Sequence, residues 1–114
     1  MEPRLKTELW AAALVRRVMA AGAFAAVAAK GDADAGAVLV KVATLDRRAR
    51  LYTARTDMAG GRVWLDLSAG PLGDAEVAID GEIARQRSRD PDLWVVEIED
   101  RAGRHFLTEA VETG

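Results

Sequence analysis

The chain contains no cysteine. That excludes disulfides, a thiol nucleophile and any cysteine-bound metal, and it fits a reducing compartment. Histidine occurs once, at His105, and neither a nucleophile elbow nor a metal-binding helix motif accompanies it. Lysine occurs only at Lys6, Lys30 and Lys41, so nearly all positive charge is arginine, the side chain that forks best onto carboxylate and phosphate. A GC-rich genome accounts for most of those arginines, because alanine, glycine and valine are abundant too. The formal net charge of −2 argues against nonspecific nucleic-acid binding. No uncharged run is long enough to span a bilayer. LWAAALVRRVMAAGAFAAVAA has the small-residue look of a signal peptide, but Arg16 and Arg17 interrupt its apolar part, which a secretory leader does not tolerate. These absences read as a cytoplasmic protein.

What is present fits one small domain spanning 1–114, with half of its residues apolar and its ends, 1–4 and 110–114, frayed. Thr7 to Ala21 reads as a helix. Trp10, Leu14 and Val18 recur at helical spacing with Ala11, Val15 and Met19 beside them, and Gly22 supplies a stop. Phe24 to Lys30 is alanine-rich, yet Gly22 and Lys30-Gly31-Asp32 bracket it; it reads as a strand, with helix as the alternative. Gly36 to Leu45 is apolar on both faces apart from Lys41 and Thr44, which predicts a central strand. RLYT and RVWLDL predict two more strands. A second helix, Ala75 to Ser88, follows Asp74 as a potential N-cap and contains Gly81, which costs about 1 kcal/mol against alanine. Asp90 precedes Pro91, and the residue before proline is pushed out of the helical region. LWVVEIED then predicts a strand, and RHFLTE its hairpin return. The order of elements predicts an α+β fold, a mainly antiparallel sheet of about five to six strands with two helices packed on one face.

Candidate site residues cluster between Arg85 and His105. Arg85, Arg87 and Arg89 sit at a helix C-terminus, where the dipole favours cations. Glu82 lies at pairing distance from Arg85 along the helix. Glu97 points outward from its strand, and His105 has carboxylates near it in sequence, the setting of a general base. DRRARLY (Asp46 to Tyr52) and DRAGRHF (Asp100 to Phe106) share a spacing of aspartate, arginines and an aromatic. Both fit ordinary turn chemistry. A duplicated strand–turn–strand unit would instead place Arg47, Arg48, Arg50, Arg101 and Arg104 on one basic rim suited to phosphate or an acidic partner. GDADAG (Gly31 to Gly36) lacks the ligand spacing of a calcium loop, and no glycine run continues as a phosphate loop. No metal and no cofactor is expected.

RLKTELW, GDADAGAVLVKV and above all ARQRSRDPDLWVVEIEDRAGRHFL resemble a family of small, mostly alphaproteobacterial proteins known as domain of unknown function 1491. The resemblance runs from Arg4 to about Glu109. It implies a bacterial cytosolic setting and brings no activity, cofactor or substrate. Family members carry a bulkier helical residue at the position of Gly81.

Three functions remain open. The first is a non-enzymatic binding or protein-interaction module with an arginine-rich surface, self-association as a homodimer included. The second is an anion or nucleotide binder, or a small enzyme, that uses arginines for phosphate and His105 or Glu97 for proton transfer. It requires those groups to converge on one concavity. The third and weakest is RNA binding through Tyr52 or Trp94, for which stacking residues are few. The binding set common to these readings is Arg85, Arg87, Arg89, Glu97, Arg101, Arg104 and His105; no membrane contact is expected.

Overall fold

The computed structural model describes residues 5–113. Helix α1 spans Thr7–Ala20, and strands β1 to β4 span Phe24–Ala29, Val38–Ala43, Ala49–Thr56 and Arg62–Asp66. A short 3-10 turn, Leu67–Ala69, leads to helix α2, Glu76–Arg89, then β5, Trp94–Glu99, and β6, Val111–Glu112. The six strands form one sheet in the order β1-β5-β2-β3-β4-β6. Three pairs are antiparallel, whereas β2–β5 and β4–β6 are parallel. The fold is therefore α+β with a mostly antiparallel, mixed sheet, and the strand count is the expected one. Among the described residues no helix is long and apolar enough to cross a membrane.

The helices do not share a face. Ala11, Leu14 and Val18 of α1 pack with Val38, Val40, Val42, Trp64, Trp94, Val96 and Ile98. Ile79 and Ile83 of α2 pack with Leu39, Leu51 and Val95. Neighbouring residues of one strand point to opposite faces, so Leu39 and Val40 lie under different helices. The expectation of two helices on one face is corrected, and β2 supplies the reason. All six of its residues are buried, and a strand that is apolar on both sides needs cover on both sides.

Local signals explain most ends. Thr7–Ala20 holds no glycine or proline and buries Thr7, Ala11, Leu14 and Val18, one line of the helix. It ends at Gly22, whose φ of +89° suits glycine, with Ala23 N donating to Val18 O. The first-turn amides of Thr7 and Glu8 donate to Asp34 O and Ala33 O, so the GDADAG loop caps α1 by its backbone. Gly31 and Gly36 are required there, because a Cβ would stand 1.9 and 2.4 Å from the Asp92 carbonyl oxygen. At the other helix, Ala75 rather than Asp74 occupies the N-cap position, with no side-chain cap. Asp74 is drawn away by Arg48, 2.7 Å from its carboxylate. Asp90 is extended before Pro91, as proline sterics demand.

The expected hairpin return after β5 does not form. Both edges of β5 are taken, by β1 and β2, so residues 104–109 have no edge to return to. They cross the α1 face instead and reach the far side of the sheet. There Trp64 N donates to Ala110 O, and Val111 pairs with Trp64. The frayed tail expected over 110–114 is thus replaced at Val111–Glu112 by a strand, held also by Arg55 to Glu112 at 2.6 Å. Residues 1–4 and 114 lie outside the described residues.

Candidate functional site

The α2 face contains an ionic centre. Lys41, in the middle of the central strand, is 4% exposed. Its ammonium lies 2.8 Å from Glu76, 2.8 Å from Asp80 and 3.7 Å from Glu97. Strand register places Glu97 beside Lys41, and one helical turn separates Glu76 from Asp80, so α2 lowers both carboxylates onto the same amine. Burial alone would push the Lys41 pKa down, but hydrogen bonds to Asp80 and Glu76 and the charge of Glu97 outweigh it and raise it. The amine is therefore a poor nucleophile at neutral pH, since only its deprotonated form attacks. Lys41, Glu76 and Asp80 escaped the sequence reading. Two signals could have found them, a single charge inside an apolar strand and paired acids at i, i+4 at the start of a helix.

The seven residues singled out in the sequence are dispersed. Glu97 belongs to the Lys41 centre. Arg85, exposed on α2, bonds Glu82 through Nε and Nη2 at 3.1 and 3.0 Å. Those bonds, after the one from Gln86, hold the Glu82 carboxyl below its usual range. Arg87 donates to the carbonyls of Lys30, Pro91 and Leu93 at 3.3, 3.1 and 2.7 Å. It ties the end of α2 to the ends of two strands, a structural use of a guanidinium. Arg89 is exposed, near enough to Glu82 to help lower its pKa. Arg104 bonds both oxygens of Asp100 at 3.0 Å and lies 4.9 Å from the Phe106 ring centre. Arg101 borders a shallow cavity with Met19, Phe24, Leu45 and Glu99.

His105 stands on the other side of the sheet from Glu97. Its ring meets Tyr52 edge-on at 5.2 Å, and Tyr52 belongs to the α1-side core. Leu107 N donates to Nδ1 at 2.9 Å, so that nitrogen carries no proton. Burial pushes the His105 pKa down, and the charge of Asp66 offsets only part of this. The same carboxylate, after burial, raises Tyr52. Asp66 is itself engaged, accepting from Ser68 N at 2.9 Å and from the Ser68 hydroxyl, with Arg50 3.5 Å away. None of the seven residues lines the 380 Å³ cavity at the start of α1, whose walls include Thr7, Gly36, Arg55, Thr56 and Arg62.

The two aspartate–arginine turns do lie at one end of the sheet. β2 and β5 run parallel, Asp100 N donates to Ala43 O, and Gly103 adjoins Thr44. Each aspartate accepts from a backbone amide within its turn, that of Arg48 at 3.2 Å and that of Arg104 at 2.8 Å. Arg48, Arg50 and Arg104 have acidic partners. Arg47 and Arg101 form no ion pair among the described residues.

Residues 5–108 match the profile of a family described as protein of unknown function, DUF1491. The chain belongs to that family. A crystal structure of a DUF1491 family protein from Caulobacter crescentus CB15 is 51% identical, with a TM-score of 0.86, covering 96% of this chain and 100% of that one. An NMR structure of a DUF1491 family protein from the same organism is 50% identical, with a TM-score of 0.84, covering 97% and 99%. The solution structure of protein Atu0922 from A. tumefaciens is 36% identical, with a TM-score of 0.77, covering 96% and 98%. No curated protein matches the chain. DUF1491 is thus a family with a defined fold and no assigned activity.

Proposed function

We propose that the chain is a non-enzymatic protein-interaction module acting in the cytoplasm. One observation carries this reading. The sheet separates His105 from Glu97 and from the arginines of α2, so the groups an acid–base mechanism needs do not meet in one concavity. The ionisable residues that do meet are engaged with one another, as at Lys41, Glu82 and Asp100. Tyr52 and Trp94, 5% and 3% exposed, are core residues rather than stacking platforms, which weighs against RNA. The test is affinity capture of the tagged chain from its own cells, compared with the Arg85→Glu/Arg89→Glu variant. The variant should lose at least one partner while unfolding at the wild-type temperature. An unchanged set of captured proteins would refute a role for this helix end.

A second reading has its own support. The shared end of the two turns gathers Arg47 and Arg101, which suits a small anion. Titration with inorganic phosphate should then shift the backbone amide resonances of Arg47 and Arg101 together, and loss of those shifts in Arg101→Ala would localise the site.

A further inference from the structure

The outer side of α1 and the neighbouring edge of the sheet carry an unusual amount of apolar surface. Leu9, Met19 and Phe24 are each about half exposed, at 50%, 50% and 49%. β1 is an edge strand, FAAVAA, without a charge or proline to protect it. Its ladder with β5 is regular over Phe24–Val27 and shifts between Val27 and Ala29. A helix with apolar residues on its outer as well as its inner side is one that expects cover.

The orientation of α1 places this surface beside the edge. Trp10 stacks on Trp64 of β4, and Arg17 reaches Phe106 O in the crossing segment. That flank faces inward along the sheet. The line Glu8, Ala12, Arg16, with Met19 next to it, occupies the opposite flank, and Met19 adjoins Phe24 at the edge. Glu8 and Arg16 are exposed and form no ion pair among the described residues.

We infer that a second copy of this chain covers this surface, in a two-fold dimer whose axis passes Ala12. This gives the interaction module proposed above one partner, a copy of itself, at a surface separate from the α2 helix end, and rests on that reading. The argument is self-complementarity. In an antiparallel helix pair centred on Ala12, each residue faces the one equally far on the other side of the axis. Glu8 then faces the partner's Arg16, so acid meets base. Ala12, the residue on the axis, is small enough to let the helices approach. The same axis suits the strand beneath. Ala12 lies about 12 Å back from the end of α1, at about 1.5 Å per residue. The middle of β1 lies about 8 Å from Phe24, at about 3.3 Å per residue. The uncharged β1 edges therefore come alongside one another without repulsion. A two-fold contact of this kind closes on itself and leaves no surface for further growth.

The test is sedimentation velocity on the purified chain. The wild type should dimerise at micromolar concentration. Glu8→Arg and Arg16→Glu should each weaken the dimer at least tenfold, because each substitution sets like charges face to face twice per dimer. The double variant should recover most of that loss, since it only exchanges the two ends of each pair. Because the chain has no cysteine, Ala12→Cys should also form a symmetric disulfide under mild oxidation far faster than Ala84→Cys on α2. A monomer at hundreds of micromolar, a dimer indifferent to both single variants, or a double variant no better than the singles would overturn the inference. The outcome is separable from the capture experiment. A monomer that still loses partners through Arg85 and Arg89 would remove this interface alone. A dimer whose captured proteins do not change would remove the α2 contact alone.

Discussion

α1 and α2 do the same task with opposite chemistry. Each covers one face of the sheet, but α1 buries Thr7, Ala11, Leu14 and Val18 whereas α2 buries Ile79 alone. α2 is held instead by two carboxylates on a lysine that rises from the sheet. The titrating groups of the two faces follow suit. On the α1 side burial pushes His105 toward its neutral form; on the α2 side three carboxylates outweigh burial and keep Lys41 charged. One face is held mainly by apolar packing, the other by carboxylates gathered on a buried lysine.

The largest effect should come from breaking the apolar face. Trp64 is fully buried, stacks on Trp10 at 5.4 Å and donates from Nε1 to Glu109 at 2.9 Å. Trp64→Ala should cost about 3–5 kcal/mol in chemical denaturation. On the other face Lys41→Met keeps the volume but leaves the carboxylates without their cation, so a loss of about 1–3 kcal/mol is expected at neutral pH. Because folding raises the Lys41 pKa, its contribution is present in full below 10.5 and fades as pH climbs through the folded value. Above pH 10.5 the wild type should therefore lose stability faster than the variant; parallel curves would show that the pairs contribute nothing. Gly81→Ala should act in the opposite sense and stabilise α2 by about 1 kcal/mol, since the added methyl would meet only Arg85 Nη1 at 3.7 Å. The smallest effect belongs to His105, a change of slope rather than of level. Its lowered pKa means that the neutral ring contributes above pH 6.5 and that this contribution is lost as pH falls. Thermal unfolding of the wild type should therefore drop more steeply between pH 6.5 and 5 than that of His105→Gln.

Most elements were legible because their signals are local. The periodicity of Leu14 and Val18, the stop at Gly22 and the Asp90-Pro91 step each act within a turn or two of chain. Even Phe24–Ala29, rich in a helix-favouring residue, was readable as a strand from the glycines bracketing it. Sidedness was not read, although β2 contained it, for apolar residues on both faces imply two covering layers. The hairpin after β5 failed for a non-local reason. Whether residues 104–109 can fold back depends on whether β5 has a vacant edge, and β1 and β2, far earlier in the chain, decide that. The site was lost in the same way. His105 and Glu97 are close in sequence, yet the crossing segment carries one of them to the opposite face. Lys41 finds Asp80 39 residues further on, a distance over which no local pattern speaks.

The position of β5 also has a consequence in time. β1 and β2 are consecutive in the chain but not in the sheet, because β5 lies between them. On the ribosome neither can take its native neighbour on that side until residue 99 has been made. Closing those long loops is slow compared with forming either helix. Until then two apolar strands wait with open edges, and β5 acts as the keystone between them. A newly made chain released before that strand is placed would expose two apolar strand edges, a setting prone to aggregation.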